Sequence, residues 1–102
     1  MRQIIFANGD EMEISEKSNH YNIIFENVSQ EDLMDLLAIN PEVWHSFTIR
    51  RTTDVDTKEF PYENHALEHI ELRGTDVAFI LYELSEAELA KQALDILMGG
   101  AS

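Results

Sequence analysis

A chain of 102 residues has the length of one ordinary domain and is too short for two. Its apolar fraction of 44%, with five Phe, three Tyr and one Trp, is that of a folded globular protein, which sets intrinsic disorder aside. Twenty Asp and Glu against seven Lys and Arg leave a net charge of −13, and Cys is absent. Disulfides, thiolate catalysis and thiolate metal sites are therefore excluded, while nucleic-acid phosphates and anionic lipid headgroups are repelled.

In chain order, Ile4-Ile5-Phe6-Ala7 and Glu11-Met12-Glu13-Ile14 flank Asn8-Gly9. That pair between β-prone runs predicts a hairpin with a type I′ turn, and alternation at Met12 and Ile14 predicts one dry face. Ser15 to His20 is polar and reads as a connection. Tyr21 to Glu26 reads as a third strand.

Ser29 is placed to cap a first helix, with Asp32 at the capping-box position and Val28 set to staple onto Leu33. Leu33, Leu36 and Leu37 share one face at helical spacing. Asn40-Pro41 ends this helix and opens one more short turn through Val43-Trp44. Ser46 to Thr53 returns to strand character.

Asp54 to Asn64, around Phe60-Pro61-Tyr62, is polar and acidic and reads as a projecting loop. Leu67 to Leu72 and Thr75 to Tyr82 flank the turn signal Arg73-Gly74 and read as a second hairpin. The nearly continuous apolar run Val77 to Tyr82 marks a central strand buried on both sides. Leu84-Ser85 with Glu88 and Leu89 repeats the staple-and-cap grammar for a last helix, whose apolar stripe is Leu89, Ala93, Ile96 and Leu97. The expected fold is α+β, a single small acidic domain over 1–102. It would have about six mostly antiparallel strands and two main helices, in the order βββαβββα.

The opening hairpin Ile4-Ile5-Phe6-Ala7-Asn8-Gly9-Asp10-Glu11-Met12-Glu13-Ile14, together with the capped helix from Val28 to Ile39, resembles small accessory proteins from the structural-gene regions of phages and prophages of Gram-positive bacteria. The resemblance implies a tail- or capsid-associated role without enzymatic activity, and it supplies no binding residues.

Three functional readings compete. An interaction or assembly module would use a sheet edge or the aromatic residues Trp44, Phe47, Phe60 and Tyr62, with a protein partner, a basic protein or a second copy of itself. An acidic inhibitor would mimic nucleic acid, not bind it. A metal-dependent hydrolase would rest on His65-Ala66-Leu67-Glu68-His69, which matches the His-x-x-Glu-His zinc pattern if helical. The alternation His69-Ile70-Glu71-Leu72 argues instead for a strand, which separates Glu68 from His69.

Asp54, Asp56 and Glu63 lack the grammar of a calcium loop. No Gly-rich loop opens a helix as nucleotide folds require. The expectation is thus a non-enzymatic interaction module with no catalytic residue, cofactor or metal, and with no direct contact to nucleic acid or membrane. Without a signal pattern or a bilayer-length apolar run, the expected location is the cytoplasm or an intracellularly assembled particle.

Overall fold

A computed structural model describes residues 1–85, 87, 88, 90 and 91. The opening hairpin forms as its alternation asks: β1 (Arg2–Phe6) pairs antiparallel with β2 (Glu11–Ile14), Ile4 opposite Met12. Its turn differs from the expected type I′. Only Gly9 has positive φ (95°), and its N–H donates to the Phe6 carbonyl at 2.9 Å. Ala7 and Asn8 hold the central places, so the loop has three residues with glycine in the position that needs φ above zero.

Two antiparallel sheets follow. The first has the order β2-β1-β4-β5, where β4 is Ser46–Thr52 and β5 is Thr57–Glu63. The second has the order β3-β7-β6, from β3 (Asn22–Phe25), β6 (His65–Arg73) and β7 (Asp76–Glu83). The apolar run does become a central strand: Val77, Ala78, Phe79 and Leu81 of β7 are buried between β3 and β6. A two-residue loop, Gly74-Thr75, joins β6 to β7. Gly74 sits at φ 66°, as a type II′ turn asks of its first central residue.

The expected βββαβββα with two main helices is corrected to a mostly β fold. Among the described residues there are seven strands, one α-helix with both ends described, α1 (Gln30–Leu37), and one 3-10 helix, Pro41–His45; residues 87, 88, 90 and 91 are also helical. The extra strand is β5, which replaces the projecting loop around Phe60-Pro61-Tyr62 and pairs with β4 from Thr52↔Thr57 to Ser46↔Glu63. Proline and alternating charge suit an edge strand, which needs a ladder on one side only. The stripe expected for the last helix (Leu89, Ala93, Ile96, Leu97) lies outside the described residues. Its cap does not: Glu88 N–H donates to Ser85 Oγ at 3.1 Å.

The first cap also forms, with Asp32 N–H donating to Ser29 Oγ at 3.1 Å. Of the apolar face of α1, Leu36 is buried and Leu33 half-buried, while Leu37 and Met34 face out. The Asn40-Pro41 turn is as expected, Asn40 Oδ1 accepting from Glu42 N–H at 3.1 Å.

This short turn aims Trp44 inward. Its indole is 1% exposed. Its ring lies 5.2 Å from Phe6 and 6.3 Å from Phe47 in the first sheet, and 5.0 Å from Phe79 in the second. Edge-to-face and tilted aromatic pairs of this kind add to the apolar area they bury. One Trp thus joins both inner faces into a single core with Ile4, Ile23, Phe25, Ile49, Val77 and Leu81.

Candidate functional site

The two sheets meet along a seam whose two ends are built from different chemistry. At one end the outer edges of β2 and β3 approach and then part. Ser15 N–H donates to the Ile24 carbonyl at 2.7 Å, and Ser18 Oγ accepts from Ile24 N–H at 2.9 Å. Both serines are buried. The edge groups of Ile24 are therefore occupied, and beyond this point β2 and β3 diverge with α1 set between them.

The opening is a groove of about 550 Å³. Its floor is apolar: Met12, Phe25, Val28, Leu36 and Ile39. Its rim is acidic: Glu11, Glu13, Glu26, Asp32 and Asp35, all exposed. Arg50 neutralises Glu11 at 3.0 Å; among the described residues no cation is paired with the other four. The sequence motifs placed these carboxylates on two strands and a helix without saying that they converge. What was legible was the helix cap that orients Asp32 and Asp35.

The charge is also segregated. Arg2, Arg51 and Lys58 lie opposite one another in one cross-strand row of the first sheet. By strand parity this row lies on the face that carries Ile4, Ile49 and Phe60, beyond the end of the core; on the opposite, acidic face Arg50 pairs with Glu11 and Glu59.

At the other end of the seam, His65 opens β6. Asn64, at φ 60°, turns the chain from β5 into β6 and so from one sheet into the other, and its carbonyl accepts from Leu84 N–H at 2.8 Å. His65 is 1% exposed. Its Nδ1 lies 2.7 Å from the Glu63 carbonyl. A carbonyl can only accept, so Nδ1 carries the proton and Nε2 presents a lone pair. That lone pair faces His20 Nδ1 at 2.9 Å.

His20 comes from the β2–β3 connection and stacks on Tyr62 of β5, ring centroids 4.4 Å apart and planes within 5°. The neighbouring Tyr21 carbonyl, accepting from Leu81 N–H at 2.8 Å, holds this connection against β7. Glu83, the cross-strand partner of His65, places Oε1 4.0 Å from His20 Nδ1. Burial first, then the neighbouring His65, push the His20 pKa below its ordinary value, while Glu83 pulls it back. The Tyr21 phenol is shifted up, by partial loss of hydration and then by the Glu83 carboxylate.

The residues singled out from sequence fall into three groups. Trp44 and Phe47 are buried in the core, which removes them as surface anchors. Phe60 is exposed on edge strand β5, and Tyr62 is half-buried against His20 and Phe47. The pattern His65-Glu68-His69 does not form a helix. It lies on β6, with a bulge where pairing passes from Leu67↔Leu81 to His69↔Ile80, so His65 is buried while Glu68 and His69 are exposed. His69 engages Glu71, Nε2 to Oε1 at 3.0 Å.

Sequence reasoning missed His20 and Glu83 as neighbours of His65. They stand 45 positions before and 18 after it by residue number, and only antiparallel pairing of distant strands unites them. Comparison with known proteins adds no relative, since no protein-family model, curated protein or solved structure matches this chain.

Proposed function

We propose that this protein is a non-enzymatic interaction module that takes a basic, amphipathic segment of a partner protein into the groove between β2, β3 and α1. The observation that carries the reading is the groove's composition: five carboxylates around an apolar floor of five side chains. An apolar floor contributes affinity through burial, and an acidic rim selects Lys and Arg at the edges and speeds encounter. The overall charge of −13 favours the same class of partner. The outer edge of β2 borders the groove, so an extended ligand would also find backbone groups to pair with. A role in assembly agrees with the resemblance of the first forty or so residues to phage and prophage accessory proteins. Mimicry of nucleic acid asks for an uninterrupted acidic face, and Arg50, paired with both Glu11 and Glu59, speaks against it on the outer face of the first sheet.

The test is amide chemical-shift mapping with a short peptide that carries Leu at helical spacing on one face and Lys on the other, beside a Glu-for-Lys control. Shifts confined to Met12, Phe25, Val28 and Leu36, weakening as salt rises, are expected. Reversing Asp32 and Asp35 together (Asp32→Lys, Asp35→Lys) should cost at least about tenfold in affinity. Shifts spread over every acidic surface, equal binding of the control peptide, or indifference to the charge reversal would each overturn the reading.

A further inference from the structure

The imidazole pair at the closed end of the seam has a geometry that core packing alone does not require. A histidine placed only to fill space would leave either nitrogen free to find any partner. Here His65 is fixed twice, by the Glu63 carbonyl on Nδ1 and by the walls of Phe47 and Tyr62, whose rings stand 5.3 and 5.8 Å away. The result is a single lone pair, on Nε2, aimed at His20 Nδ1. His20 is likewise oriented, by its stack on Tyr62. Glu83 brings a carboxylate to the same point, and one ligand atom from each of the three lies within 4.8 Å of the other two.

We infer that His20, His65 and Glu83 form a binding site for a divalent transition cation of the zinc class, with Nδ1 of His20, Nε2 of His65 and a carboxylate oxygen of Glu83 as ligands.

The fit is close in each respect that geometry controls. Two nitrogens about 2.0–2.1 Å from a tetrahedral zinc stand about 3.3 Å apart. The two imidazole nitrogens, now 2.9 Å apart across one shared proton, need to open by only about 0.4 Å to meet that spacing. The cation takes the place of the shared proton: His65 keeps its own on Nδ1, and His20 moves its proton from Nδ1 to Nε2, so neither imidazole is charged. Glu83 is more than half exposed and can rotate inward without disturbing the core.

The Glu63 carbonyl is the outer-shell partner that metal-bound histidines ordinarily have. Two imidazoles and a carboxylate suit zinc and its neighbours in the first transition row, and disfavour calcium and magnesium, which prefer oxygen throughout. Three protein ligands leave a fourth position, on the side where Tyr21 and Glu83 meet solvent. The site draws on the β2–β3 connection and on β6 and β7, and abuts the end of β5. A bound cation would therefore join the connection to the second sheet, independently of anything the acidic groove binds.

The experiment is a zinc titration of the full chain, stripped with a chelator and supplied with excess magnesium to occupy diffuse carboxylate sites. Cobalt absorption serves as a second readout of coordination. One equivalent should bind with micromolar or tighter affinity, give the visible bands of low-coordinate cobalt, and raise the melting temperature. His20→Phe, which keeps a flat ring against Tyr62, and Glu83→Gln, on the exposed rim, should each weaken zinc at least about tenfold and abolish the thermal shift.

His69→Ala is the control, because His69 with Glu71 is the competing surface pair; it should change nothing. Failure of wild type to bind zinc at about 100 µM, undiminished binding in both His20→Phe and Glu83→Gln, or loss of binding in His69→Ala would overturn the assignment. If His20→Phe does not fold, Glu83→Gln alone decides.

Discussion

Where the seam opens, beside α1, the two sheets are held apart and lined with carboxylates over an apolar floor; where it closes, at Asn64, they are drawn together over His65, His20 and Tyr62. The same sheets and the same core supply both ends. The difference lies in what finishes the edges. At the open end the buried serines Ser15 and Ser18 occupy one residue of β3 and leave the rest of its edge to diverge from β2. At the closed end a single residue, Asn64, separates β5 from β6, so the chain itself forces the sheets into contact. A small β fold of this kind makes a recess by under-pairing two edges and a buried polar cluster by over-tightening two others.

Substitutions at four positions probe this contrast, beginning with the one that should abolish it. Trp44 touches aromatic residues of both sheets, so Trp44→Ala should cost about 3–5 kcal/mol of stability and weaken both ends together, as read by chemical denaturation. Retention of full stability would mean that the sheets do not depend on their shared indole.

Ser18→Ala removes the hydroxyl that accepts from Ile24 N–H and donates to the Ile24 carbonyl. The Ile24 carbonyl keeps Ser15 N–H, but the buried Ile24 N–H is left unpaired, and the expected loss is about 1–3 kcal/mol. Faster amide exchange should appear at Ile24 and its neighbours but not at His65. Equal acceleration at both ends would deny that the serine acts on the open end alone.

Asn64 sits in left-handed geometry at φ 60°, where a Cβ without a compensating polar group is disfavoured. Asn64→Ala should therefore cost about 1–2 kcal/mol and Asn64→Gly very little, the loss confined to the closed end. The matched pair Asn27→Ala and Asn27→Gly, at φ 51° beside the groove, should show the same ordering there.

Much of the local structure was legible. The positions of the Asn8-Gly9 and Arg73-Gly74 turns (not the type I′ geometry expected of the first), the caps at Ser29 and Ser85, and the central position of Val77 to Tyr82 follow from residue types with narrow conformational preferences. The failures have physical causes as well. β5 went unseen because charge and Pro61 disguise an edge strand. Its alternation was nonetheless present: Phe60 and Tyr62 stand opposite Ile49 and Phe47 on one face, and Glu59 and Glu63 opposite Arg50 and Ser46 on the other.

The division into two sheets was hidden because local pattern does not say which strands pair across tens of residues. Both candidate sites depend on that pairing. His65 was noticed for a helical spacing it does not use, while the partners it does use, His20 and Glu83, are adjacent to it only through the β3–β7–β6 order.

The bulge at Glu68 carries a last consequence. In a flat strand, inward residues keep one parity, yet β6 points His65 and Leu67 inward before the bulge and Ile70 after it. His65 and Ile70 are five positions apart, an odd interval that no uninterrupted strand can bury on one side. Deleting Glu68 would shorten that interval to four, so the regular ladder that resulted could keep both the imidazole and the isoleucine inside. The odd interval is thus the mark of one inserted residue, absorbed by the bulge so that the interior on either side of it stays in phase.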